Sequence, residues 1–75
     1  MSLMLIRIAR HFSGLSQKEL AELIGQSQNA VSRYELGTLS VSPKTERKLK
    51  QAFESAGIGQ DELDFLQGVI ASNKK

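Results

Sequence analysis

Seventy-five residues make one domain, near the lower limit for a core that folds without a covalent or metal staple. The chain has no cysteine, which excludes disulfides and thiolate metal sites and fits a cytoplasmic protein. The formal net charge of +2 identifies no partner, but its distribution is uneven: Met1 to Phe53 carries +4 and Glu54 to Lys75 carries −2. The first segment suits a phosphate backbone and the second faces away from it or toward another protein, although ordinary solvated charge gives the same imbalance.

Met1-Ser2-Leu3-Met4-Leu5-Ile6 is apolar but far shorter than the ~20 residues of a membrane span. It also lacks the basic region that precedes a signal peptide's apolar stretch. It reads as the start of a core helix, so no membrane is expected as a partner. That helix, from Leu3 to Ser13, contains no glycine or proline and ends at Gly14, a natural left-handed cap. Ser16 and Glu19 then have the spacing of a capping box. Leu20, Ala21 and Ile24 share one face of the second helix, which Gly25 stops. Ser27 caps a third helix that runs to Leu36 before Gly37. Ser42-Pro43 is a strong start signal for a fourth helix, which reaches about Ser55 and buries Leu49, Ala52 and Phe53. A fifth, from about residue 60 to 71, turns Leu63, Leu66 and Ile70 inward against the first and fourth helices. Residues Ser72 to Lys75 are expected to fray. The fold class is therefore all-α: a compact bundle of five short helices forming a single domain over residues 1–75.

The segment from Gln17 to Leu36 reads as two helices joined at Gly25. Leu20, Ile24, Val31 and Tyr34 hold the pair together, and Ala21 permits a close, steep crossing. The second helix of the pair is left with Gln28, Asn29, Ser32, Arg33 and Leu36 on its outer face, none of them acidic. Glutamine and asparagine pair bidentately with adenine, and arginine with guanine, in the major groove. A helix face selected only for solubility more often alternates Glu and Lys.

Residues Ile6 to Phe53 resemble the helix-turn-helix domains of lambda-type phage repressors and of bacterial regulators of the xenobiotic-response-element (XRE) type. The resemblance rests on Gly14-Leu15-Ser16-Gln17-Lys18-Glu19-Leu20-Ala21, on Ile24-Gly25, on Val31-Ser32-Arg33-Tyr34-Glu35-Leu36-Gly37, and on Ser42-Pro43. It implies a lambda-repressor-like DNA-binding domain in which Gln17 touches the DNA backbone. Ser27, Gln28 and Asn29 would form the leading end of the recognition helix, and Arg33 would contact a base or phosphate one turn later. Arg10 and Glu35 match positions that form an ion pair between the first and third helices. Three positions depart from the family pattern. Gln26 stands where a small apolar residue is usual, which implies a less well packed turn, and Leu23 and Leu36 stand where polar residues are usual. With Leu39 and Val41, Leu36 also makes the loop before Pro43 apolar, which favours a partner surface there over a phosphate grip.

The remaining features read more simply. Lys44, Arg47, Lys48 and Lys50 resemble a solvated helix face, with Lys44, nearest the helix start, the best candidate for a phosphate contact. His11 has no ligand-like companion and belongs to the surface. Tyr34 belongs to the core, and Asp61, Glu62 and Asp64 are favourable charge at a helix start. No phosphate loop, nucleophile elbow or metal cluster occurs, so no enzyme activity, metal or cofactor is expected. Phe65 and Val69 lie off the inward face of the fifth helix and stay exposed. Since the resembling family commonly pairs about a twofold axis, a homodimer through this helix is expected, aided by Leu39 and Val41. The expected function is a sequence-specific transcriptional regulator, a repressor, that reads a pseudo-palindromic operator in double-stranded DNA through residues 28–36. The alternative is an antitoxin or protein-interaction module on the same fold, with DNA binding secondary.

Overall fold

The computed structural model describes residues 1–72. Five helices follow one another: α1 (Leu3–Phe12), α2 (Gln17–Ile24), α3 (Gln28–Leu36), α4 (Pro43–Ser55) and α5 (Gln60–Ser72). There is no strand among the described residues. Their boundaries have local causes. Ser2, Ser16, Ser27 and Ser42 each hold an extended backbone and accept the N–H three residues on, satisfying one of the donors that a helix start leaves free. At Ser16 the bond is reciprocal, because the Glu19 carboxylate accepts from the Ser16 N–H at 2.8 Å. That backbone hydrogen bond and the Ser16 hydroxyl hold the Glu19 carboxyl below its ordinary pKa. Gly59 opens α5 in a related way, its N–H donating to Glu62 Oε1 at 2.8 Å.

Each helix contributes to one core. Leu5, Ile6 and Ala9 of α1 meet Leu20, Ala21 and Ile24 of α2, Val31 and Tyr34 of α3, Leu49, Ala52 and Phe53 of α4, and Leu63 of α5. Phe53, Ile6, Leu20, Ile24 and Leu49 are the largest side chains wholly removed from water. Burying each contributes about 1.5–3 kcal/mol, and that contribution is what lets so short a chain overcome its conformational entropy.

Two expectations about the C-terminal part change. The fifth helix packs chiefly on α1, and only Leu63 is fully buried while Leu66 and Ile70 are half-covered. Helix α4 leads away from α5 through the turn at Gly57, whose positive φ of 96° redirects the chain, so α5 has one main neighbour. Ser72, expected to fray, is the last residue of α5 and its hydroxyl donates to the Val69 carbonyl at 2.9 Å. The fraying expected of residues 73–75 lies outside the described residues. Among the described residues no helix is long and apolar enough to cross a membrane.

Candidate nucleic-acid interface

Helices α2 and α3 are joined by three residues whose geometry is set by one glycine. Gly25 has φ 72° and ψ 30°, a left-handed conformation open to glycine without steric cost. It lets the Gln26 N–H turn back to the Ala21 carbonyl at 2.9 Å, which closes α2 in a Schellman-like cap. Ser27 then starts α3 at once, its hydroxyl accepting from the Ala30 N–H at 3.1 Å. Ala21 is buried on α2, which packs against both α3 and α4.

Gln26 does not loosen the turn. Its side-chain carbonyl accepts from the Tyr34 hydroxyl at 2.7 Å, and its amide donates to Thr45 Oγ1 at 3.3 Å. Thr45, itself buried, also receives the Ser42 hydroxyl at 3.1 Å. The turn is thereby tied to the body of α3 and to the start of α4. A small apolar residue at position 26 would fill the turn but leave the Tyr34 hydroxyl without this partner. Gln26→Leu is expected to destabilise the domain by about 1–3 kcal/mol, measured by urea unfolding. Adding Tyr34→Phe should recover part of that loss, since the orphaned hydroxyl goes with it; no recovery would show that the pair does not interact.

A second polar clasp holds the next residue of α3. Arg10 of α1 reaches Glu35 of α3 with Nε 2.6 Å from Oε2 and Nη2 3.2 Å from Oε1, and its Nη1 donates to the Leu15 carbonyl at 3.1 Å. Gln17 adds a third donor, its amide 3.0 Å from Glu35 Oε1. Burial on its own would push the Glu35 carboxyl up. The hydrogen bonds from Arg10 and Gln17, with the charges of Arg10 and Arg7, outweigh it and hold the carboxyl below its ordinary value. The first helix, the first loop, the start of α2 and the end of α3 are all bonded into this one cluster. Every buried side-chain nitrogen and oxygen among the described residues has a partner.

What the two clasps leave outside is the far side of α3. Gln28, Asn29 and Arg33 are exposed and Ser32 is half-buried, beside the exposed Ser27. Asn29 and Arg33 are one turn apart and share a face. Their side chains carry amide and guanidinium groups exposed to solvent. Lys44 is exposed in the first turn of α4. Gln17 is differently placed: it is half-buried, and one of its amide hydrogens is committed to Glu35. Its backbone N–H and that of Lys18 lie in the first turn of α2, where no intrahelical acceptor exists. Leu36, at the end of α3, is 71% exposed, whereas Leu39 and Val41 are half-covered by the protein's own core. Of the four apolar residues expected at a dimer surface, only Phe65 and Val69 are exposed. The residue that reading the sequence undervalued is Gln26. A long polar side chain in a position that normally takes a small apolar one was the available signal, and its partners Tyr34 and Thr45 lie on elements that only the fold brings near.

Comparison with known proteins agrees with this geometry. The helix-turn-helix family model matches residues 6–56, about two-thirds of the chain, from the middle of α1 to the end of α4. No curated protein and no solved structure matches. With all four helices of the match in place, the capped turn at Gly25 and a polar outer edge on α3, the chain belongs to the helix-turn-helix family of lambda-repressor-like and XRE-type DNA-binding domains.

Proposed function

We propose that this protein is a sequence-specific transcriptional regulator that represses by occupying an operator. The observation that carries the reading is the outer edge of α3, where Gln28, Asn29 and Arg33 are exposed on a helix whose last turn is tied by two polar clasps, through Tyr34 and Glu35. A recognition helix must present its amides and guanidinium in one fixed orientation, because bidentate pairing with base edges tolerates little misplacement. Ser27 and Ser32 border that edge. Gln17 and Lys44, with the free N–H groups of the helix starts, supply phosphate contacts that set register. As a homodimer acting in the cytoplasm, the protein places two copies of α3 on half-sites about 10 base pairs apart.

Selection of bound duplexes from a random pool tests this directly. The expected outcome is a short half-site repeated in inverted orientation, with affinity that falls as salt rises. Recovery of no enriched sequence, with binding at the level of any polyanion, would remove the proposal. A second reading, a protein-interaction module such as an antitoxin, is favoured by one feature: Leu36 stands exposed at the end of α3, where the family usually has a polar residue. In that case substitutions at Leu36 would abolish partner capture and leave DNA selection untouched.

A further inference from the structure

Two phenylalanines stand in water where α5 meets α1, and neither belongs to the core. Phe12, the last residue of α1, is 68% exposed, and Phe65, in the second turn of α5, is 71% exposed. They are not scattered singly over the surface. Both line one cleft of about 350 Å³, together with the half-buried Ile58 and Leu66. That volume lies at the small end of the range for pockets that take low-molecular-weight ligands. The cleft is completed by Asp61 and Glu62, both exposed. Among the described residues neither carboxylate forms an ion pair. Glu62 is held in position, because Oε1 accepts the Gly59 N–H at 2.8 Å. All the lining residues but Phe12 lie beyond the helix-turn-helix match, which ends at residue 56.

Charge selects the occupant. The face of a phenylalanine ring attracts a cation through its quadrupole, and the two carboxylates add full negative charge beside it. Helix α1 ends at Phe12, so the partial negative charge of its last turn reinforces the same field. The opposite partial charge at the start of α5 is offset by Asp61 and Glu62 themselves. We propose that this cleft binds a small organic cation with an apolar body, an aryl or alkyl quaternary ammonium in chemical class. The apolar part covers Ile58 and Leu66, and the charged head meets the rings and the carboxylates. A neutral hydrophobe gains nothing from the carboxylates, and an anion is repelled by them. A second copy of the chain is a poorer occupant, because a twofold axis through the cleft brings four like charges together. None of the lining residues is on α3, so the site stands whether or not that helix reads DNA.

Benzyltrimethylammonium is the probe, titrated into the isotopically labelled full chain and followed by amide NMR shifts. The expected result is saturable shifts confined to the neighbourhood of Phe12, Ile58 and residues 61–66. Affinity should exceed that for benzyl alcohol or phenylacetate by roughly fivefold or more. Phe65→Leu keeps an apolar side chain but removes a ring, and should weaken cation binding by roughly threefold to tenfold. Asp61→Asn with Glu62→Gln should abolish the preference for the cation over benzyl alcohol. The amide that replaces the Glu62 carboxylate keeps an oxygen for the Gly59 N–H, so α5 retains its start, and circular dichroism checks that the helices persist. Three results with the wild-type chain alone would overturn the proposal. One is the lack of any saturable shift with the cation at tens of millimolar. Another is equal affinity for all three probes, which would make the cleft an unselective apolar surface. The third is cation binding that disappears as protein concentration rises, with a matching gain in sedimenting mass, since a second copy would then cover both phenylalanines.

Discussion

Arg10→Met is expected to lower the unfolding free energy by about 3 kcal/mol at neutral pH, a large share of the roughly 4–11 kcal/mol that a chain of this length commands. The reason is asymmetry. Methionine replaces the apolar stem of Arg10 well enough, but Glu35, only 4% exposed, keeps its charge and loses two of its three side-chain donors. Removing one member of a covered ion pair therefore costs far more than the pair's net contribution to stability. The pH dependence follows from the same group. In the wild type the Glu35 carboxyl is held below its ordinary pKa of 4.5. Its contribution is thus complete above that value and is lost as pH falls through the lower folded-state pKa. In Arg10→Met the burial that opposes ionisation is no longer outweighed, so protonation comes at higher pH and relieves the variant first. The stability gap between the two proteins should then begin to narrow above pH 4.5, as the variant takes up its proton, and go on narrowing below it as the wild type loses its contribution. Urea unfolding followed by circular dichroism at pH 7, 5 and 3.5 measures it. A gap of under 0.5 kcal/mol at pH 7, or one that does not narrow in acid, would show that the clasp is not ionic in origin.

The double substitution Asn29→Ala with Arg33→Ala should weaken binding to the selected operator by about 2–6 kcal/mol, or roughly 30-fold to more than 10,000-fold, since each lost base contact is worth about 1–3 kcal/mol. Both side chains point away from the core, so the unfolding transition should hardly move. Binding to random duplex DNA should fall much less, and base preference should relax at the positions the two residues read. The salt dependence discriminates further. A guanidinium that grips phosphate would take about one unit off the slope of log affinity against log salt when removed, with equal losses on specific and random DNA. That pattern would move Arg33 from reading bases to setting register. A variant that binds the operator as tightly as wild type would leave the outer edge of α3 without a role in recognition.

Both expectations concern one arrangement seen from two sides. The Arg10–Glu35–Gln17 cluster anchors the end of α3, and the Gln26–Tyr34–Thr45 chain ties the same turn of α3 to the loop before the helix and to α4. Recognition by amide and guanidinium groups requires a rigid scaffold, and in a domain this small the apolar core alone is thin. The buried polar bonds add direction to the packing.

The local sequence was sufficient for the helices because their starts and stops are chemical. The serines at positions 16, 27 and 42 and the glycines at 25 and 37 act on backbone groups close to themselves in the chain, so no distant contact is needed to place them. The inward stripes of α2 to α4 are legible for the same reason, since helical period alone decides which side chains share a face. The polar outer edge of α3 is the remainder of that division. What depended on the tertiary structure was pairing between elements. That Gln17 spends an amide hydrogen on Glu35, that Gln26 bridges Tyr34 and Thr45, and that α5 leans chiefly on α1 are consequences of helix crossing and chain reversal. Periodicity along one helix carries no information about the angle at which the next one meets it. That angle is settled by how all the buried side chains pack at once.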